Sequence, residues 1–188
     1  MVVSLVRVIA GKARGRRLEG PPSDSTRPMT DRVREALFSS LAWRVPDSAV
    51  LDLYAGTGSI GLEALSRGAD SVVFVERDRR VAQVLKRNVD TVGLGGEVVI
   101  QDALAFVQGR PSEGEPFDLV FVDPPYAMPL ASCVTLLEQI ASHMRPGAIA
   151  VLHRRGGGDE PAPTGFTLEW NRQYGRSDVW RFERTESA

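Results

Sequence analysis

Cysteine is almost absent from this sequence. The single Cys133 has no disulfide partner and belongs to no CxxC spacing, which excludes a disulfide framework and a cysteine-built zinc site, so the thiol is expected to pack as a small apolar group. Histidine is nearly as scarce. Neither His143 nor His153 has a carboxylate or cysteine at ligand spacing, so both read as structural and no metal is expected. No stretch of 18 apolar residues occurs, which excludes a spanning helix. The apolar run at the start is too short for a signal-peptide core and is broken at Arg7, so a cytoplasmic protein is expected. Internal repeats and heptad runs are also lacking.

What is present fits one globular core: 188 residues, 43% hydrophobic and 25% charged. The net charge of -1 conceals an uneven distribution. Residues 1–44 hold nine Lys or Arg against four Asp or Glu, and the remainder holds 14 against 20. The basic end is a candidate polyanion contact, although a solvated arginine-rich surface has the same composition. From residue 49 onward, short apolar runs alternate with amphipathic stretches of helical length. Strands are expected at 49–54, 71–76, 97–101, 117–123 and 148–153, with helices at 59–67, 79–92, 103–109 and 130–144 between them. A Gly/Pro-rich connection, RRGGGDEPAPTG, precedes two strand-like segments at 166–172 and 178–184 that can form an edge hairpin. The pattern is α/β: a Rossmann-like, mostly parallel seven-stranded sheet with helices on both faces. Residues 1–44 break the rhythm. They read as a basic hairpin around Lys12–Gly15 followed by a helix that Thr30 caps, with Val33, Ala36, Leu37 and Leu41 on one face, and form an extension packed on a main domain of residues 45–188.

VLDLYAGTG (50–58) carries a strand into Gly56-Thr57-Gly58 and then a helix, a turn in which small residues let a ligand approach the backbone. Gly56, Gly58 and Gly61 with Glu76 also match a dinucleotide fingerprint, which alone is weak. Asp52 separates the two readings. A carboxylate facing the ligand side of the loop repels a pyrophosphate and attracts the ammonium of a methionine moiety, which favours S-adenosylmethionine over NAD. Glu76, at the end of the second strand, can accept from both ribose hydroxyls. Asp102 can accept from the adenine amino group, with Ala103 supplying a backbone N–H, and Tyr54, Ala55 and Arg77 complete the expected cofactor set. Capping of the following helices is the competing role for Glu76 and Asp102.

The fourth strand, FDLVFVD, is apolar throughout and then ends in Asp123-Pro124-Pro125-Tyr126. The exocyclic amino nitrogen of a nucleobase is a poor nucleophile because its lone pair is delocalised into the ring. The Asp123 carboxylate and Pro124 carbonyl can bind both amino hydrogens and favour pyramidal geometry, while Pro124 and Pro125 stiffen the loop. Tyr126 offers a face on which an extruded base can stack. Methylation of a ring carbon calls for a positioned cysteine, and Cys133 falls inside an expected helix. Trp43, Trp170 and Trp180 read as core or edge-packing residues. The two loops alone leave open guanine N2 or adenine N6 as the acceptor, and a noncatalytic RNA-binding assembly factor remains an alternative from another class.

RVIAGKARGRRL (7–18), RPMTDRVREALF (27–38), LDLYAGTGSIGLEALSRGA (51–69), VERD (75–78) and FVDPPY (121–126) resemble, in order and spacing, the RsmD-type methyltransferases that modify guanine N2 in bacterial 16S ribosomal RNA. The two amino-terminal segments are the specific ones, since the later loops occur in many amino-methyltransferases. The resemblance implies S-adenosylmethionine as cofactor, with contacts at Asp52, Gly56, Gly58, Glu76 and Asp102, and catalytic contacts at Asp123, Pro124 and Tyr126. It also implies a 16S rRNA substrate, expected within a small-subunit assembly intermediate; nothing in the sequence suggests an obligate dimer, so a monomer is expected. The basic hairpin (Arg7, Lys12, Arg14, Arg16, Arg17) together with Arg27, Pro28, Thr30 and Arg32 would grip RNA or shape the entrance. Met29 departs from the family's usual Thr, and Ser39-Ser40-Leu41 replaces an Asn-containing turn; both lie outside the two loops.

Overall fold

The computed structural model describes residues 6–22, 29–111 and 114–185; Arg27 and Pro28 lie outside them. A two-stranded hairpin, β1 (Val6–Arg7) with β2 (Arg17–Leu18), leads into α1 (Asp31–Ser40). The α/β alternation follows: β3 (Ala49–Leu53), α2 (Ser59–Ser66), β4 (Ser71–Val75), α3 (Arg79–Val92), β5 (Glu97–Val99), α4 (Ala103–Gly109), β6 (Phe117–Val122), α5 (Leu130–Ile140) and β7 (Met144–Arg155). The edge hairpin is β8 (Phe166–Tyr174) with β9 (Ser177–Arg184). Seven strands form one sheet in the order β5-β4-β3-β6-β7-β9-β8, parallel from β5 to β7, with β9 antiparallel to both of its neighbours. The fold is the mostly parallel, seven-stranded Rossmann-like α/β sheet expected from the periodicity.

Strand alternation divides the core in two. Val50, Leu119, Phe121, Ile149 and Val151 face one side with residues of α2 and α3, whereas Leu51, Leu53, Val120, Val122, Ala150 and Leu152 face the other side with residues of α4 and α5. α1 joins the first side. Leu37, Phe38 and Leu41 are fully buried there, and the Phe38 ring lies 5.6 Å from that of Phe121. Thr30 caps α1 as expected, but Ala36 is only half-buried, and Arg34 and Phe38 occupy the inner face instead. The fifth helix is shorter than expected. It ends at Ile140 and passes through a 3-10 turn at Ala141–His143 into β7, which starts at Met144 because that residue already pairs with Phe117. Cys133 is buried among apolar neighbours, and burial pushes its thiol up. No described helix is long and apolar enough to cross a membrane.

The sheet changes winding direction beside β3. From β3 the chain turns through α2 to β4 on one side, whereas β6, its other neighbour, continues through α5 to β7. The crevice outside the carboxyl ends of β3 and β6 is where an open α/β sheet takes a ligand.

Candidate active site

A cleft of about 580 Å³ occupies that crevice. Its walls include Tyr54, Ala55 and Gly56 after β3, Glu76 and Arg77 after β4, and all four residues of Asp123-Pro124-Pro125-Tyr126 after β6. The two loops singled out in the sequence therefore open on one space. Pro21 and Pro22, from the stretch after the hairpin, also reach its wall, as do Ser59, Ile60 and Arg80.

Gly56 has φ 56° and is loosely surrounded, a Cβ there meeting the Tyr54 carbonyl oxygen at 3.9 Å, whereas Gly58, at φ 89°, meets packing below: a Cβ there would lie 2.4 Å from the Leu85 side chain. The first glycine shapes the turn for a ligand and the second lets the loop settle on α3. Tyr54 holds φ 61° without being glycine, and its hydroxyl lies 3.5 Å from Met128 Sδ, which ties the glycine loop to the Asp123 loop. Burial, reinforced by the charge of Asp102, pushes the Tyr54 phenol up to about 12.

Glu76 bridges the two halves of the cofactor side. One oxygen accepts from the Gly56 N–H at 3.0 Å and the other from the Asp78 N–H at 2.8 Å, and each retains a lone pair for a ligand. Asp52, Gly58, Asp102 and Ala103 do not line the cleft. Asp52 was expected to face the ligand side of the loop; it is instead fully buried beneath it. Its Oδ2 accepts from the Gly61 N–H at 2.9 Å, and its Oδ1 has no hydrogen-bond partner among the described residues. Alternation along β3 gives it the Val50 side of the sheet, under α2, and the first turn of that helix claims one oxygen. Desolvation pushes its carboxyl up to about 8; the Gly61 hydrogen bond opposes this, and the charges of Asp123 and Glu76 add to it. Asp102 is the cap of α4, with Oδ1 accepting from the Leu104 and Ala105 N–H groups, and its side chain remains exposed beside buried Ala103.

At the opposite wall, Pro124 is buried while Pro125 and Tyr126 are exposed, Tyr126 by 47%. Asp123 has a partner that its sequence neighbours do not announce: His153 Nδ1 lies 2.7 Å from its Oδ1. The structural reading of His153 is therefore corrected, because parallel pairing of β6 with β7 supplies the carboxylate that local spacing lacks. The three tryptophans separate. Trp180 is buried and Trp170 is half-buried near Arg172 and Arg181, but Trp43 is 76% exposed with the Arg44 guanidinium 4.4 Å from its ring centre, so it is not a core residue.

Of the expected RNA contacts, Lys12, Arg14, Arg17 and Arg32 are exposed. Arg16 donates to the Thr91 carbonyl at 2.7 Å and Arg7 lies 3.4 Å from Asp31, so both guanidinium groups also hold the hairpin in place. The Thr30 hydroxyl accepts from the Val33 N–H and serves α1. Sequence reasoning missed the docking of this hairpin. Glu63, fully buried in α2, accepts from the Ile9 and Ala10 N–H groups and from Arg67, and the buried Arg34 guanidinium lies 3.9 Å from it while donating to the Arg7 carbonyl. A charged residue inside the apolar run of α2 was the available signal.

Glu76 after β4 and Asp123 after β6 set two carboxylates on the cleft wall, which suits a cationic ligand, and Asp52 lies buried beneath with one oxygen unpartnered among the described residues. A glycine turn, an acidic residue after the next strand and an Asp-Pro-Pro-Tyr loop around one cleft define a class I methyltransferase. A family model described as Conserved hypothetical protein 95 matches residues 6–183. The chain belongs to this family, the RsmD-type methyltransferases. Ribosomal RNA small subunit methyltransferase D of Escherichia coli is 44% identical over 135 residues, which is 71% of this chain and 67% of that protein. The protein of the same name from Haemophilus influenzae is 39% identical over 168 residues, 87% of this chain and 86% of its own. The solved structure of yhhF from Escherichia coli superposes with a TM-score of 0.84 at 35% identity, covering 97% of this chain and 99% of that one.

Proposed function

We propose that this protein transfers a methyl group from S-adenosylmethionine to the exocyclic N2 of a guanine in 16S ribosomal RNA, acting as a cytoplasmic monomer on an assembling small subunit. One observation carries the reading. The glycine loop with Glu76 and the Asp123-Pro124-Pro125-Tyr126 loop face each other across a single cleft. The small-subunit substrate is supported by the names of the two relatives, which cover most of this chain. Residues 45–188 act as the transfer domain, and residues 1–44 as an extension that presents Lys12, Arg14, Arg17 and Arg32 to RNA phosphates.

When bound, S-adenosylmethionine supplies an electrophilic methyl on a positively charged sulfur. The residues of the chain orient it and its acceptor. Glu76 would hold the ribose hydroxyls, and Asp102, exposed at the α4 cap outside the cleft lining, would offer its second oxygen to the adenine amino group. The buried carboxyl of Asp52 holds the Gly61 N–H and so fixes the start of α2 beneath the glycine loop. Asp123 and the Pro124 carbonyl accept the two amino hydrogens of the target base, and Tyr126 stacks on its ring. Alignment and proximity would govern the transfer, in which an N–C bond replaces the C–S bond and the thioether leaves, and the extra proton on nitrogen would pass to Asp123 or to water.

The test is methylation of small-subunit RNA from cells lacking the protein, followed by nucleoside mass spectrometry. N2-methylguanine is the expected product; a methyladenine refutes the guanine assignment. Asp123→Ala is expected to lower transfer by about 100-fold or more, as loss of an aligning group does. Full activity in that variant removes the mechanism and leaves an RNA-binding factor with a methyltransferase fold.

A further inference from the structure

Asp123 is held from behind. β6 and β7 run parallel with Val122 beside Leu152, so Asp123, just past the end of β6, comes beside His153, which lies within β7. Alternation gives Asp123 the Phe121 side of the sheet and His153 the Val151 side, which is the same face. The imidazole is nearly enclosed, with 4% of its side chain exposed, and its Nδ1 meets Asp123 Oδ1 at 2.7 Å. The Tyr126 ring meets it at an edge, centroids 6.4 Å apart and planes at 63°, and the Tyr126 hydroxyl lies 3.5 Å from Ser177 Oγ at the start of β9. Asp123, His153, Tyr126 and Ser177 thus link three neighbouring strands behind the cleft wall.

A carboxylate only accepts, so this contact requires the proton on Nδ1. The terminal torsion of an aspartate is broad and roughly two-fold, and without a fixed donor either oxygen can turn to the cleft. We propose that His153 is a positioning residue for methyl transfer: its Nδ1–H pins Oδ1 of Asp123, so that Oδ2 alone is presented to an amino hydrogen of the target base. The inference rests on the reading of Asp123 as the amino acceptor. His153 touches neither base nor cofactor. It acts by fixing the direction of one acceptor and by backing the ring of Tyr126.

Three variants and one spectrum test this. In His153→Phe, kcat for small-subunit RNA is expected to fall about 10- to 100-fold, the range for misplacing a reacting group. The KM for RNA and the Kd for S-adenosylhomocysteine stay within about twofold, because binding contacts are untouched. His153→Asn, whose amide can donate from near the Nδ1 position, is expected to recover most of kcat. In nitrogen NMR of the wild-type protein, His153 is expected to carry its proton on Nδ1, and the signal to move in Asp123→Ala. Wild-type kcat in His153→Phe overturns the proposal, as does equal impairment of the Phe and Asn variants or an Nε2–H tautomer. The spectrum decides the contact even where a variant folds poorly. Absence of methyl transfer by the wild-type protein fails the functional reading instead, with the tautomer still reporting on the histidine contact.

Discussion

Folding takes the Asp52 carboxyl out of water with one oxygen satisfied, and burial pushes its ionisation up to about 8. Below the ordinary value of 3.8 it is protonated in both folded and unfolded chains. Between that value and about 8 the folded protein keeps the proton and the unfolded chain releases it, so this residue's contribution to stability falls as pH rises through the window and levels off above it. Asp52→Asn removes the titration. The variant should gain stability over the wild type from pH 4 to pH 8, at up to about 1.4 kcal/mol per pH unit. Urea unfolding at pH 5 and pH 8 measures this, and a gap that fails to widen with pH contradicts the buried-proton account. The identity of this residue was legible in VLDLYAGTG, but its orientation was not: alternation and the amide of Gly61 fix it, and neither is visible in a motif. His153 was illegible for a related reason, since its carboxylate stands 30 positions earlier in the chain.

The basic hairpin is held by Val6, Val8, Ala13 and Leu18, which join the core, and by polar contacts at α2 and α3, more than by its own ladder of two residue pairs. Glu63 receives Ile9 and Ala10, Ser66 receives the Lys12 and Ala13 N–H groups through its carbonyl and hydroxyl, and Gly11 sits so close that a Cβ would lie 1.8 Å from the Ser66 carbonyl oxygen. Gly11 also has φ 82°, so Gly11→Ala is disfavoured both by space and by backbone conformation. Glu63→Ala takes the acceptor from the Arg67 guanidinium and from two part-buried backbone amides, and it removes the carboxylate beside the buried Arg34 guanidinium, which should destabilise the protein by about 3–5 kcal/mol. Denaturant unfolding gives that magnitude, and hydrogen exchange locates it: the Ile9 and Ala10 amides should become fast while β3 and β6 stay protected. Slow exchange at both amides would mean that other contacts hold the hairpin. Most elements of the sheet were legible because fully buried parallel strands read as apolar runs and α3 as a clear amphipathic period. The docking of the hairpin was not, because it depends on buried polar side chains of α2 and α3, chiefly Glu63, Ser66 and Asn88, whose partners lie more than 50 residues away.

Across the whole molecule, a net charge of -1 would suggest no attraction to RNA, yet the excess of basic residues lies within residues 1–44 and the excess of acidic ones elsewhere. The docked hairpin converts that sequence asymmetry into a spatial one. Lys12, Arg14 and Arg17 are exposed on it, and the stretch that follows reaches the cleft wall at Pro21 and Pro22. On the proposed reading, phosphate contacts made there would fix where RNA lies without reading its bases, whereas Asp123 and Tyr126 would hold the amino group itself. The two functions should therefore separate experimentally. Replacing Lys12, Arg14 and Arg17 together with Ala should weaken RNA binding uniformly across sequences. It should also flatten the dependence of log affinity on log salt by about 2 to 3, at roughly 0.7–0.9 per lost contact. The methylated nucleoside should be unchanged, because the acceptor contacts remain intact. Binding measured between 50 and 200 mM salt, with product analysis on the same variant, checks both halves. A slope equal to that of the wild type moves the RNA off this hairpin, and an altered product shows that the extension takes part in choosing the base.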